Sequence, residues 1–133
     1  MGIITISRGS FAGGKAVAER LCQRLGQPPL SREAVLAQAA KEYGILETEL
    51  AHTLNTSPPF WQQVPGKRLA YVKCVTAVLF DHAAGGNLVY HGHVGHLLFS
   101  GISHVLRVRV IADMEHRIKL AMEQAGLKRD EAV

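Results

Sequence analysis

Ile3-Ile4-Thr5-Ile6-Ser7-Arg8-Gly9-Ser10-Phe11-Ala12-Gly13-Gly14-Lys15-Ala16 opens the chain, and its reading decides the fold. Ile3 to Ile6 is a β-branched run, the composition of a buried strand. Gly9 to Gly14 is a glycine-rich turn. Behind it Val17, Ala18, Leu21, Cys22 and Leu25 recur at helical spacing, with charged residues between them and Gly26 as the stop. Within this strand, loop and helix, Gly9 to Lys15 spells G-x-x-x-x-G-K. Glycines let such a backbone curl until successive N–H groups point inward, and the helix N-terminus adds partial positive charge. Lys15 is long enough to reach the outer oxygens of a bound anion. The loop residues Gly9, Ser10, Phe11, Ala12, Gly13, Gly14, Lys15 and Ala16 are therefore expected to bind phosphate. The plainer alternative is a glycine-rich turn into a helix. A Ser or Thr after the lysine would offer a hydroxyl to Mg²⁺, and Ala16 offers none.

Outward from this stretch, strands and helices alternate. Gln27-Pro28-Pro29-Leu30 holds a very short strand at most, because proline cannot donate to a ladder. Ser31 is placed to cap a helix over about 32–43, ended by Gly44. Glu47 to Leu54 reads as a further short helix, and Thr56 to Trp61 as a loop. Leu69, Val72, Val75, Thr76, Leu79 and Phe80 form a helical stripe stopped by Gly85-Gly86. Leu88-Val89-Tyr90 and Val105 to Ile111 are strand candidates. Asp113 is placed to cap a helix whose apolar face is Ile118, Ala121, Met122 and Ala125, ended by Gly126. This alternation predicts crossover units and a mostly parallel sheet. Arg107 and Arg109 share one face of their strand by period two. That suits an edge strand better than a central one, and an anionic ligand is the functional alternative.

Composition narrows the classes. The chain has 133 residues, 47% hydrophobic and 20% charged, with net charge +4 when its seven His are neutral. That fits one domain over 1–133 with a real core. Residues 1–66 carry six Lys/Arg against five Asp/Glu, and residues 67–133 carry nine against six. No block of like charge marks a nucleic-acid surface, while a polyphosphate ligand remains in keeping with the balance. No apolar run reaches the ~18–20 residues of a membrane span. No charged segment followed by an apolar one marks a signal peptide. Cys22 and Cys74 read as two reduced core thiols of a cytoplasmic protein.

His91, His93, His96 and His104 fall close together. Imidazoles so placed bind transition metals in some proteins, yet no Cys or carboxylate lies among them. The favoured reading sets His91 and His93 at the carboxyl end of a parallel strand. Ligands bind at that end, and a protonated imidazole titrating near neutral pH would meet phosphate there. His52, His82 and His116 read as surface residues.

Thr5-Ile6-Ser7-Arg8-Gly9, the glycine loop, Ala18-Glu19-Arg20-Leu21, Leu25-Gly26 and Arg32-Glu33 together resemble the cytidylate-kinase-like family of P-loop kinases. The likeness continues in Gly86-Asn87-Leu88-Val89, Gly92, Leu106 to Ile111, Glu115, Arg117-Ile118 and Glu123 to Leu127, in order along nearly the whole chain. The resemblance implies an α/β P-loop NTPase-like fold, here a parallel sheet of about four strands flanked by helices. It implies transfer of the ATP γ-phosphate to a nucleoside monophosphate, typically CMP or dCMP, with Mg²⁺. Carried over residue by residue, Gly9 to Ala16 would cradle ATP, with Lys15 as the catalytic cation. Ala16 would weaken Mg²⁺ binding. Arg32 would hold the acceptor phosphate, and Glu33 also matches. The family has Gly-Arg at the end of its third strand. Here the pair is Gly92-His93, which puts His93 at the acceptor position. The family continues past Glu123–Leu127 into an arginine-bearing lid and a further strand, and no match to either is read here. Lys128 and Arg129 read as a solvated tail.

Two functions follow from the resemblance. One is an ATP-dependent nucleoside monophosphate kinase of the cytidylate type. The other is a nucleotide- or anion-binding regulatory module without turnover, which Ala16, His93 and the missing lid favour. A His-coordinated metal protein is the outsider. The expected partner is a nucleotide and not a membrane, with a second copy or a fused domain covering the sheet edge. Phe60 and Trp61 would stack on a base or anchor their loop, and nothing in 44–68 identifies the acceptor.

Overall fold

The computed structural model describes residues 2–56, 66–92 and 95–133. The β-branched opening forms β1 (Ile3–Arg8), which runs parallel to β3 (Leu88–Gly92) on one side and to β4 (Val105–Val110) on the other. Beyond β3 lies β2 (Leu30–Ser31), also parallel, so the sheet order is β2-β3-β1-β4. Pro28 and Pro29 precede β2 and keep it to two residues.

Register sorts the core. Ile3, Thr5 and Ser7 stand level with Leu88, Tyr90 and Gly92 of β3 and with Val105, Arg107 and Arg109 of β4, all on one face. On that face Ile3, Leu88, Tyr90 and Val105 meet Val35, Leu36, Leu50, Val75, Val78, Leu79 and Phe99. Most of these partners come from α2 (Arg32–Tyr43), α3 (Glu47–Asn55) and α4 (Lys67–Ala84). The rings of Phe80 and Phe99 meet edge to face, 5.2 Å between centroids. On the opposite face Ile6 and Val89 meet Ala18 and Cys22 of α1 (Gly14–Leu25). The sheet is thus the middle of three layers, α/β as expected.

The helix boundaries follow their capping residues. Ser31 Oγ accepts from the Ala34 N–H at 3.1 Å, and Asp113 Oδ1 accepts from the His116 N–H at 2.9 Å. The latter opens α6 (Met114–Ala125). Gly26, Gly44 and Gly126 end their helices in left-handed conformation. Two short helices escape the sequence reading, α5 (Gly95–Leu98) and α7 (Arg129–Ala132). Helix α6 buries Ile118 and Ala121, while Met122 and Ala125 stay exposed. Its apolar stripe is longer than the surface that covers it. Cys22 is buried and Cys74 half-buried, both as free thiols.

Among the described residues β4 has a strand neighbour on one side only. Arg107 and Arg109 are exposed on it, as an edge strand requires. No helix of the described residues is long and apolar enough to cross a membrane.

Candidate functional site

The topology prepares a crevice. From β1 the chain passes β3 to reach β2, returns to β3, and then crosses to β4 on the far side of β1. Where strand order reverses, the helices on the two faces leave a gap at the carboxyl ends of the strands. The loop after β1 fills that gap. It curls on itself, with the Ala12 N–H donating to the Gly9 carbonyl at 3.3 Å and the Val17 N–H to the Gly13 carbonyl at 3.2 Å. Gly13 has φ 84°, a left-handed value glycine adopts without steric cost. Phe11 has φ 54°, uncommon for a residue with a side chain. At Gly14 a Cβ would lie 2.4 Å from Arg8 Cβ, so the loop closes only around a residue without one.

The result is a cavity of about 600 Å³ lined by every residue from Gly9 to Ala16, together with Arg8, Glu19 and Gln124. The first turn of α1 has no capping side chain and no acidic residue, so its unpaired N–H groups are open to an anion. Lys15 Nζ stands 3.9 Å from Glu19 Oε1, both side chains well exposed. A pair this loose and solvated holds the lysine weakly and lets it turn to a ligand. From outside, Arg117 of α6 donates its Nε–H to the Ser10 carbonyl at 2.9 Å and braces the loop.

The other predicted residues lie beside this cavity rather than in its wall. Ser31 pairs with His91 across β2 and β3, which brings the start of α2 to the end of β3. A Cβ at Gly92 would fall 2.8 Å from Arg32 Cβ and 2.7 Å from the Tyr90 hydroxyl oxygen, so this junction too needs glycine. Arg32 turns its guanidinium to Asn55 Oδ1 of α3, at 2.5 Å. Glu33, one residue on, accepts from Nη2 of Arg8, the last residue of β1, at 3.2 Å. Burial pushes the Glu33 carboxyl up. Its own backbone N–H and the charges of Arg8, His91 and Arg32 outweigh that and hold it below the usual glutamate value. Burial drives the Tyr90 phenol up to about 12, so it stays protonated.

His91 departs from its expectation. It is at the carboxyl end of β3 as foreseen, but only 3% exposed. Burial, and next the Arg8 guanidinium, lower its pKa below 6.5, against a smaller opposite pull from Glu33 and Glu19. The imidazole is therefore neutral at neutral pH and supplies no charge to phosphate. His93 lies outside the described residues, as do Phe60 and Trp61. His96 and His104 are exposed, and His52, His82 and His116 are at the surface as read from the sequence. No three of the His, Cys, Asp and Glu side chains among the described residues gather to hold a metal.

Arg8, Glu19, Gln124 and Arg117 were missed as contributors to the site. Arg8 has a local signal, as the residue immediately before the glycine pattern. Gln124 and Arg117 have no local one, since Arg117 meets Ser10 across 107 positions.

A family model for the cytidylate kinase-like family matches residues 3–133. The chain belongs to the cytidylate kinase-like family. Two solved structures are similar to it in fold. One is an uncharacterized protein from Eubacterium ventriosum ATCC 27560, with TM-score 0.70 and 17% identity, covering 99% of this chain and 66% of that one. The other is TT1252 from Thermus thermophilus, with TM-score 0.57 and 21% identity, covering 98% of this chain and 76% of that one. This family member thus spans about two thirds of the length of the Eubacterium protein. A search of curated proteins finds no match.

Proposed function

We propose that this cytidylate kinase-like chain binds the phosphates of ATP in the Gly9–Ala16 loop and passes the terminal phosphoryl group to a nucleoside monophosphate. The observation that carries the reading is the loop itself: a cavity of about 600 Å³ walled by Gly9 to Ala16, at an uncapped helix N-terminus, with Lys15 on its rim. A glycine-rich loop at an uncapped helix N-terminus suits a compact anion. The close approach of Gly14 to Arg8 is what lets the backbone, rather than a side chain, form the wall.

On this reading the loop amides and Lys15 fix the donor phosphates. Arg32, beside β3, leaves Asn55 to orient the acceptor phosphate. Phosphoryl transfer depends on positioning and charge more than on a base, and no base is assigned. Mg²⁺, when bound, would neutralise charge on the phosphates. Among the described residues Glu19 is the one carboxylate lining the cavity, beside Lys15, and Ala16 has no hydroxyl. The ion would therefore rest chiefly on nucleotide oxygens and water. We read 1–133 as one domain working in the cytoplasm.

Ala16 also supports a second reading, nucleotide binding without turnover. A coupled assay of ADP release over a panel of nucleoside monophosphates separates the two. Turnover with CMP or another monophosphate, reduced about 10²–10³-fold in Lys15→Ala, supports the kinase. ATP hydrolysis and transfer indistinguishable from a protein-free control, in a sample that binds ATP, supports the second.

A further inference from the structure

We propose that Arg8 is a second phosphate-binding cation of this site, held in position by Glu33 and sharing one anion with Lys15. The proposal rests on the phosphate-binding reading of the loop and adds a ligand contact to it. Arg8 is the last residue of β1 and lines the same cavity as the loop. Its backbone and Cβ lie against Gly14, which fixes the root of the side chain under the first turn of α1. Its far end is tied, with Nη2 on Glu33 Oε1 at 3.2 Å. Between these anchors the Nε–H is buried and has no hydrogen-bond partner. Buried guanidinium donors nearly always have one, and an unpaired one calls for an account.

A phosphate supplies that account. A guanidinium presents its donors as a planar fork, and a phosphoryl group accepts two of them side by side. Glu33 takes one of the two Nη2 protons; the other, with the Nε–H beside it, is the fork that a phosphate would accept. The carboxylate is ionised, because its own backbone N–H and the Arg8 charge outweigh its burial. Neutral His91 brings no competing cation to the same floor. Arg8 is only a quarter exposed, so its attraction for an anion is less screened than that of Lys15, whose side chain is 67% exposed. Glu33 directly follows Arg32, the proposed acceptor residue. One turn of α2 thus ties the donor cation to the acceptor side.

The test is calorimetric titration of inorganic tripolyphosphate into wild type, Arg8→Ala and Lys15→Ala, at low and high salt, with thermal melts to show that each folds. Arg8→Ala is expected to weaken binding about tenfold or more and to flatten its salt dependence, because one cation has left the site. A purely structural role would leave the salt dependence as it is. Where Arg8→Ala fails to fold, Arg8→Gln keeps most of the stem and carries the same expectation. Wild-type affinity and salt slope in a folded Arg8 variant, with binding lost in Lys15→Ala, overturn the proposal and leave the loop reading standing. No binding of tripolyphosphate or ATP by wild type overturns both.

Discussion

A single methyl group at position 14 would lie 2.4 Å from Arg8 Cβ, far inside contact distance. Neither side can yield cheaply, since both atoms are rooted in backbone. Gly14→Ala is therefore expected to push the loop off the end of β1. The predicted cost is about 1–3 kcal/mol in urea unfolding, together with loss of tripolyphosphate binding. A variant that keeps full stability and binding would show that the loop closes more loosely than described. The loop residues were legible in the sequence because their pattern is local: glycines, lysine and helix start follow one another within eight positions. What those residues touch was not. The approach of Arg8 to Gly14, the Arg8–Glu33 pair and the turning of Arg32 to Asn55 depend on how one strand and three helices meet. The histidines show the limit most plainly. Alternation places His91 at the right end of the right strand, but not how deeply α1, α2 and the sheet bury it.

Elements were legible wherever a capping residue and a long apolar period coincided. Ser31 and Asp113 start α2 and α6 as their side chains predict, and Gly26, Gly44 and Gly126 stop three helices. Helices α5 and α7 have four residues each, too few to show a 3.6-residue period. Phe99, fully buried just after α5, was missed for the same reason. Helix α6 matters to the site because it carries Arg117, whose Nε–H braces the Ser10 carbonyl. Asp113→Ala removes the bond to the His116 N–H and is expected to cost about 1 kcal/mol. The check is the urea midpoint at constant slope. An unchanged midpoint would mean that the first turn of α6 is held by something other than its cap.

For the whole molecule, the alternation of strands and helices was enough to anticipate a parallel sheet, but not its order. The order β2-β3-β1-β4 puts the opening strand inside the sheet and its loop at the reversal point. Among the described residues it also leaves β4 at an edge, in keeping with the paired Arg107 and Arg109. Global stability is tied to pH through His91. Its folded pKa is lowered from 6.5, chiefly by burial, so the unfolded chain binds the proton more readily. The neutral ring's contribution is complete above pH 6.5 and is lost as pH falls below it toward the folded value. Glu33, also lowered in the fold from 4.5, adds a loss of the same sign only in more acid solution. Urea unfolding at pH 7.5 and 5.5 should therefore show wild type weaker at 5.5, with a smaller difference in His91→Gln. Equal differences would mean that the buried imidazole is not the source. The central claim remains that the loop after β1 binds nucleotide phosphate, and isothermal titration of ATP into wild type and Lys15→Ala tests it most directly. The account predicts saturable one-site binding by wild type that Lys15→Ala weakens at least about tenfold. Absence of binding by wild type, or equal affinity in the two proteins, would contradict it.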